Sequence, residues 1–157
     1  MKNNSGFTFV ELILVMAIAA TFFGFVMINL IGTQKTSEVT TQTDTLVSDL
    51  SSQQTKAMLG AGTASGTDYG IHFDTNKYTL FLGSTYTPSD ANNFVVNIDS
   101  GYQLVNTFTG GNIVFVSTTG TVSGYLNNKN TVTVEDKSGL KTKTITVNRY
   151  GVVVGEN

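Results

Sequence analysis

The sequence predicts an α+β protein in which one long N-terminal helix crosses a membrane with its first half and packs its second half on an antiparallel β-sheet head. Three observations predict it. Residues 12–31 form an unbroken apolar block; the polar stretch that follows repeats apolar residues at helical spacing; and the remainder alternates apolar residues with Thr, Asn and Ser between turn-forming clusters. At 157 residues the chain has room for one modest core and an appendage.

The apolar block, LILVMAIAATFFGFVMINLI, holds no charged residue and has the length of about 20 residues that a bilayer-spanning helix needs. In hydrocarbon a helix is the conformation that satisfies its own backbone, so helix is the expected state. A secretory signal peptide would carry an apolar stretch of roughly 7–15 residues, and this one is longer. Lys2 sets the expected orientation, with the N-terminus cytoplasmic and the residues beyond about 32 outside.

Beyond Gly32, Val39, Leu46, Leu50 and Ala57 recur at spacings of seven, four and seven, which draws one apolar stripe along a helix. The helix is expected to continue to Leu59 and to stop at Gly60, in GAGTASGT. Lys35, Glu38, Asp44, Asp49 and Lys56 are read as its solvated faces. Strands are expected at Tyr69–Phe73, Tyr78–Leu82, Phe94–Ile98, Tyr102–Phe108, Ile113–Val116, Val132–Glu135 and Thr142–Asn148. Asp74-Thr75-Asn76, Asp99-Ser100-Gly101, Thr119-Gly120 and Asp136-Lys137-Ser138-Gly139 supply the connections, and Pro88 falls in a loop.

Glu11, at the edge of the apolar block, needs a partner, because a carboxylate near the centre of a membrane helix costs on the order of 2.5–3.5 kcal/mol. No basic side chain lies within helical reach of it. A cut between Gly6 and Phe7 would create an α-amine with a pKa near ~8, cationic at neutral pH and close to the acid. Gly6 followed by FTFVELILVMAIAA resembles the class III signal of type IV prepilins and type II secretion pseudopilins. The resemblance implies that Gly6 is the cleavage glycine, Phe7 the methylated new N-terminus and Glu11 the assembly carboxylate, with Thr8 also fitting the pattern.

The resemblance further implies a type IV pilin-like division: a cleaved leader over 1–6, a transmembrane and filament-core helix over 7–32, and a head over 33–157. That head comprises an amphipathic helix over 33–59 and a sheet region over 68–155. SDLSSQQTKAM, YGIHF, KYTLFLG, NIVFVSTTGTVSG and KTITVNRYGVVV are similar to the heads of minor pilins and H-type pseudopilins. The function so implied is that of a structural subunit of a type II secretion or type IV pilus system. Its implied partners are a prepilin peptidase and methyltransferase, other subunits, an inner-membrane assembly platform and, before assembly, the bilayer. The expected location is single-pass in the inner membrane, then a periplasmic or extracellular filament. Two alternatives stay open: the major subunit of a surface pilus, and a membrane-tethered β-domain adhesin that keeps Met1 and does not polymerise.

Other chemistries find little support. The chain has no Cys, and His72 is its single histidine, so no metal-ligand set is visible and His72 is read as a solvent-facing strand residue. No nucleophile elbow or phosphate-binding loop is present; the glycines at 60, 62 and 66 follow a helix. No cofactor and no catalysis are expected. Asp90, Asn92 and Asn93, or Asp136, offer oxygen atoms to calcium but match no defined loop. Lys141, Lys143 and Arg149 form a thin cationic cluster for DNA or a ligand; with a net charge of −2 and Glu135, Asp136 and Glu156 nearby, nucleic acid is not expected as a partner.

Overall fold

The computed structural model describes residues 8–60 and 66–156, without the side chains of 27–35 and 156. The expected cleavage pair, Gly6 and Phe7, and Gly62 lie outside the described residues. The chain forms two compact units that divide between Thr36 and Ser37. Helix α1 (Phe9–Leu59) runs through both, and strands β1 (Tyr69–Phe73) to β8 (Val153–Glu156) belong to the second.

In the first unit every described side chain from Thr8 to Val26 is exposed, although Phe9–Val26 is long and apolar enough to cross a bilayer by length and composition. Eighteen helical residues rise about 27 Å, close to the thickness of a hydrocarbon core. In the second unit the predicted stripe is the buried one: Val39, Leu46, Leu50 and Ala57 are all buried. Thr43 and Gln53 lie buried beside them; Thr43 satisfies its hydroxyl on the Val39 carbonyl at 2.7 Å, and Gln53 Nε2 donates to the Gly70 carbonyl at 3.1 Å. α1 ends as expected at Gly60, whose φ is +61°. The carbonyl of Ala57, in the last turn, accepts from Gly60 N at 3.3 Å and from Thr118 N at 2.9 Å, so a loop from the sheet helps to close the helix end.

The single sheet expected from the alternation is two. One has the order β3 (Phe94–Asn97), β2 (Lys77–Leu82), β1, β5 (Asn112–Phe115); the other β4 (Tyr102–Asn106), β6 (Thr131–Asp136), β7 (Thr142–Val147), β8. All pairings are antiparallel. The chain changes sheets at Asp99-Ser100-Gly101, so this turn joins strands that do not pair, unlike the hairpins at Asp74–Asn76 and Asp136–Gly139. The seam is stitched by the β1–β2 turn, where Asn76 and Thr75 carbonyls accept from Ile98 N at 2.9 Å and Leu104 N at 2.8 Å. Each strand rotates by roughly 20–25° on its neighbour, so eight in one sheet would turn away from a straight helix; two four-stranded sheets both keep a face on it. Their inward residues, among them Ile71, Phe73, Phe115, Val132, Val134 and Ile145, form one core with the helix stripe.

Glu38 and Asp44 are exposed, as a solvated face requires, and Asp49 is half-buried, yet all three acids also reach the sheets. Asp49 Oδ2 accepts from the Tyr78 hydroxyl at 2.6 Å, Glu38 Oε2 accepts from the Tyr102 hydroxyl, and Asp44 Oδ1 lies 3.5 Å from Lys143 Nζ. Each ties the helix to a strand from the border of the stripe, where an acid can reach a strand side chain beyond the apolar contact. His72 also departs from expectation. It does face away from Ile71 and Phe73, but its ring stacks on Tyr86 at 4.0 Å, its Nδ1 lies 2.8 Å from Asn112 Oδ1, and its Nε2 lies 3.4 Å from Asp74 Oδ1. The β2–β3 loop folds over this face, with Tyr86 also against Phe81, and leaves the imidazole part-buried.

Candidate functional site

The site of interest begins where α1 begins. The Thr8 carbonyl accepts from Leu12 N at 3.2 Å, the first intrahelical bond, which makes Thr8 the N-cap. Its Oγ1 accepts from Glu11 N at 3.3 Å, while Glu11 Oε2 accepts from Thr8 N and from Thr8 Oγ1, both at 2.9 Å. This is a reciprocal capping box: two backbone donors that lipid would leave unsatisfied are both satisfied. The Thr8-x-x-Glu11 spacing announces it in the sequence, yet an argument about charge alone passes over it. Thr8 thereby acquires a definite role, holding the carboxylate against the helix start.

The box occupies one oxygen of Glu11. Among the described residues Oε1 has no partner and no cation lies near, so the negative charge is hydrogen-bonded but not neutralised. The site can therefore accept a cationic donor without dismantling the cap. The surface that follows is apolar on every side, with Phe9, Phe22, Phe23 and Phe25 each about 70% exposed or more. It presents a helix rod with an acid at its tip.

The cationic residues of the head do not gather into one patch. Lys143 lies against Asp44, Lys141 sits at the exposed β6–β7 connection, and Arg149 stands at the far end of β7 with its guanidinium over the Tyr150 ring, 5.6 Å from the centroid. The oxygen atoms weighed for calcium serve their own loops. Asp90 Oδ1 accepts from the backbone and side-chain nitrogens of Asn92 at 2.8 and 2.9 Å. Asp136, buried, accepts from Ser138 Oγ and from Leu140 N and Lys141 N at 2.9 and 3.1 Å. Among the described residues no group of three or more His, Cys, Asp or Glu converges as a metal site.

Two contacts that the sequence did not single out tie two of the head's connections to the helix. Gln54 Nε2, on α1, donates to the Gly120 carbonyl at 3.0 Å and to the Tyr150 carbonyl at 2.5 Å, binding the β5 loop and the β7–β8 turn to the helix. A glutamine on a helix face carries no pattern by which its distant partners could be read.

With this geometry in view, residues 1–27 match the family model of the prokaryotic N-terminal methylation motif. No curated protein matches the chain in sequence. Among solved structures, the fold is similar to the crystal structure of the minor pseudopilin EPSH from the type II secretion system of Vibrio cholerae. The TM-score is 0.54 at 15% identity, over 76% of this chain and 93% of that one.

Proposed function

We propose that this chain, a protein of the type IV pilin and pseudopilin kind by its N-terminal motif and its fold, is a minor pilin or pseudopilin that serves as a structural subunit of a type IV filament. One observation carries the reading: a methylation-motif N-terminus and a pseudopilin-like head occur in a single chain, joined by one continuous helix. The work is assembly, not catalysis. The likeness of the head to a minor pseudopilin favours the minor role over that of a major pilus subunit.

In this reading a prepilin peptidase cuts after Gly6, the new Phe7 amine is methylated, and the apolar helix holds the subunit in the inner membrane until an assembly platform draws it into the filament. Glu11 then sets register. Its free oxygen meets the Phe7 amine of a neighbouring subunit, and misregister leaves a buried charge unpaired at a cost of about 3–5 kcal/mol. The capping box contributes by holding the acid at the helix tip before the partner arrives. Mass spectrometry of the native N-terminus is the test. A methylated Phe7 is expected; an intact Met1 in protein recovered from filaments refutes the reading and returns the chain to a membrane-tethered binding domain.

A further inference from the structure

The β7–β8 turn is more firmly built than a connection requires. Asn148 Oδ1 accepts from Tyr150 N at 2.9 Å and Val152 N at 3.1 Å, and its backbone carbonyl accepts from Gly151 N at 3.0 Å. Val122 N donates to the Arg149 carbonyl at 3.0 Å, while Gln54 holds the next carbonyl from the helix side. The backbone of Arg149 is thus fixed from two directions. Its guanidinium, the only one in the chain, stands exposed over Tyr150 at the wall of a concavity of about 610 Å³ that Thr121, Tyr125 and Asn127 also line.

Across Val122, Tyr125 and Leu126 lies a second concavity of about 320 Å³, lined by Phe108, Val114 and, at its border, Lys129. No Asp or Glu among the described residues lines either one. Among the described residues neither Arg149 nor Lys129 has an ion-pair partner, whereas Lys143 and Lys77 do. The groove therefore offers a cationic, hydrogen-bonding compartment beside a more apolar one, in which Thr109, Asn112 and Ser123 join Phe108 and Val114. Leu126 and Tyr150 on its rim are about half exposed or more, and Leu126 stands on the ridge between the two compartments. A polyanion with uniform charge would leave the apolar compartment wet. An extended peptide that sets an acidic side chain next to an apolar one fills both, with its carboxylate on a bidentate fork and its apolar group against Phe108 and Val114.

We propose that the groove between Arg149 and Lys129 binds an extended acidic peptide segment of a neighbouring filament subunit. The ligand class stands on the groove alone; the source rests on the filament reading above. The fixed turn removes backbone ordering from the cost of binding, so what remains to be ordered is the exposed Arg149 side chain, which already lies over the Tyr150 ring.

The test uses the full chain in detergent micelles, with empty micelles as blank and a labelled decapeptide of alternating Glu and Leu as probe. Binding is expected to weaken roughly tenfold when Gln replaces Glu in the probe, and as much in the double variant Arg149→Gln, Lys129→Gln. Lys137→Gln, a cation outside the groove, is expected to leave it unchanged. Equal loss in Lys137→Gln, indifference to the double variant, or preferential binding of a uronic-acid oligosaccharide or single-stranded oligonucleotide overturns the peptide assignment. In cells, a photoreactive residue at Leu126 is expected to cross-link to an acidic segment of another subunit. Cross-links confined to proteins outside the filament overturn the source; if Met1 is also intact there, the filament reading has failed while the micelle result still decides the ligand class.

Discussion

Gly151 combines a left-handed backbone with a crowded site. Its φ of +78° is left-handed, and a Cβ built there meets Gln54 Nε2 at 2.4 Å, the Gly120 carbonyl oxygen at 2.7 Å and Phe115 Cε1 at 2.9 Å. The glutamine can swing aside, but only by releasing the Tyr150 and Gly120 carbonyls that it holds. The Gly120 oxygen is backbone and the Phe115 ring is fully buried, so neither gives way easily. For Gly151→Ala the left-handed backbone costs about 1–2 kcal/mol and the overpacking about 1–3 kcal/mol, together roughly 2–5 kcal/mol. In a chain of this length each kcal/mol lowers the Tm by about 2–4 °C, so a fall of about 4–20 °C is expected.

Gly124 separates the two causes. Its φ is +60°, yet nothing lies within 4 Å of an added Cβ, so Gly124→Ala should suffer the backbone cost alone, a fall of about 2–8 °C. Thermal unfolding of both variants in the same detergent, followed by circular dichroism, reads the difference. Were Gly151→Ala to melt within 2 °C of Gly124→Ala, the clamp formed by Gln54, Gly120 and Phe115 would not exist as described, and the preorganised Arg149 turn would lose its basis.

Four further substitutions probe other links. Glu11→Gln keeps a side chain able to complete the capping box but removes the charge; it is expected to insert into the membrane and fail to enter filaments, and normal filament levels by shearing and immunoblot would refute charge pairing in register. Burial and the Asp49 carboxylate push the Tyr78 phenol far above its usual range, and the bond to Glu38, with burial, pushes Tyr102 up to about 12. Both are raised, so each contribution is whole below about pH 10 and is lost as pH rises toward the folded-state value, about 12 for Tyr102 and higher still for Tyr78. Unfolding free energy should fall there by up to about 1.4 kcal/mol per pH unit for each phenol, and Tyr78→Phe with Tyr102→Phe should flatten the slope. Thr79 is buried on β2 with a hydroxyl that has no partner among the described residues, so Thr79→Val is expected to leave the Tm unchanged or raise it by a few degrees; a fall of 4 °C or more would show that the hydroxyl is satisfied.

What could be read from the sequence was whatever a local period or a single conformational demand fixes. The stripe at Val39, Leu46, Leu50 and Ala57 is buried because helical spacing permits one buried face, and Gly60 ends the helix because its left-handed φ suits glycine. Strand positions followed from alternation to within one or two residues, apart from β8. Val152, Val153 and Val154 form an apolar run whose register, shifted by a bulge at Thr146 and Val147, no two-residue period announces. The division into two sheets was not legible, since Asp99-Ser100-Gly101 has the composition of a hairpin turn and only the distant partners of β3 and β4 make it a corner. The same limit explains His72: its strand face was read correctly, but the loop that brings Tyr86 over it lies outside any strand pattern. At the N-terminus the missing cation singles out the acid, and the Thr8-x-x-Glu11 spacing announces the capping box that an argument from charge alone passes over.

The helix poses a problem of covering that the filament reading resolves. From Phe9 to Val26 its side chains are all exposed, so in water the segment would present a continuous apolar surface. A bilayer covers that surface, and so does a bundle of like helices, at nearly the same hydrophobic free energy, because lipid tails are as apolar as leucine. Moving from one cover to the other is therefore decided by terms other than burial: close packing between helices and the pairing of the few polar groups. Among the described residues of this rod the polar side chains are Thr8, Glu11 and Thr21, and Thr21 already donates to the Ile18 carbonyl at 2.7 Å. Thr8 is committed to the cap. Glu11 alone among them retains an unused oxygen and an uncompensated charge, and on the proposed filament reading it is the described residue of the rod that would distinguish a neighbour in correct register from lipid or from a neighbour displaced by a turn.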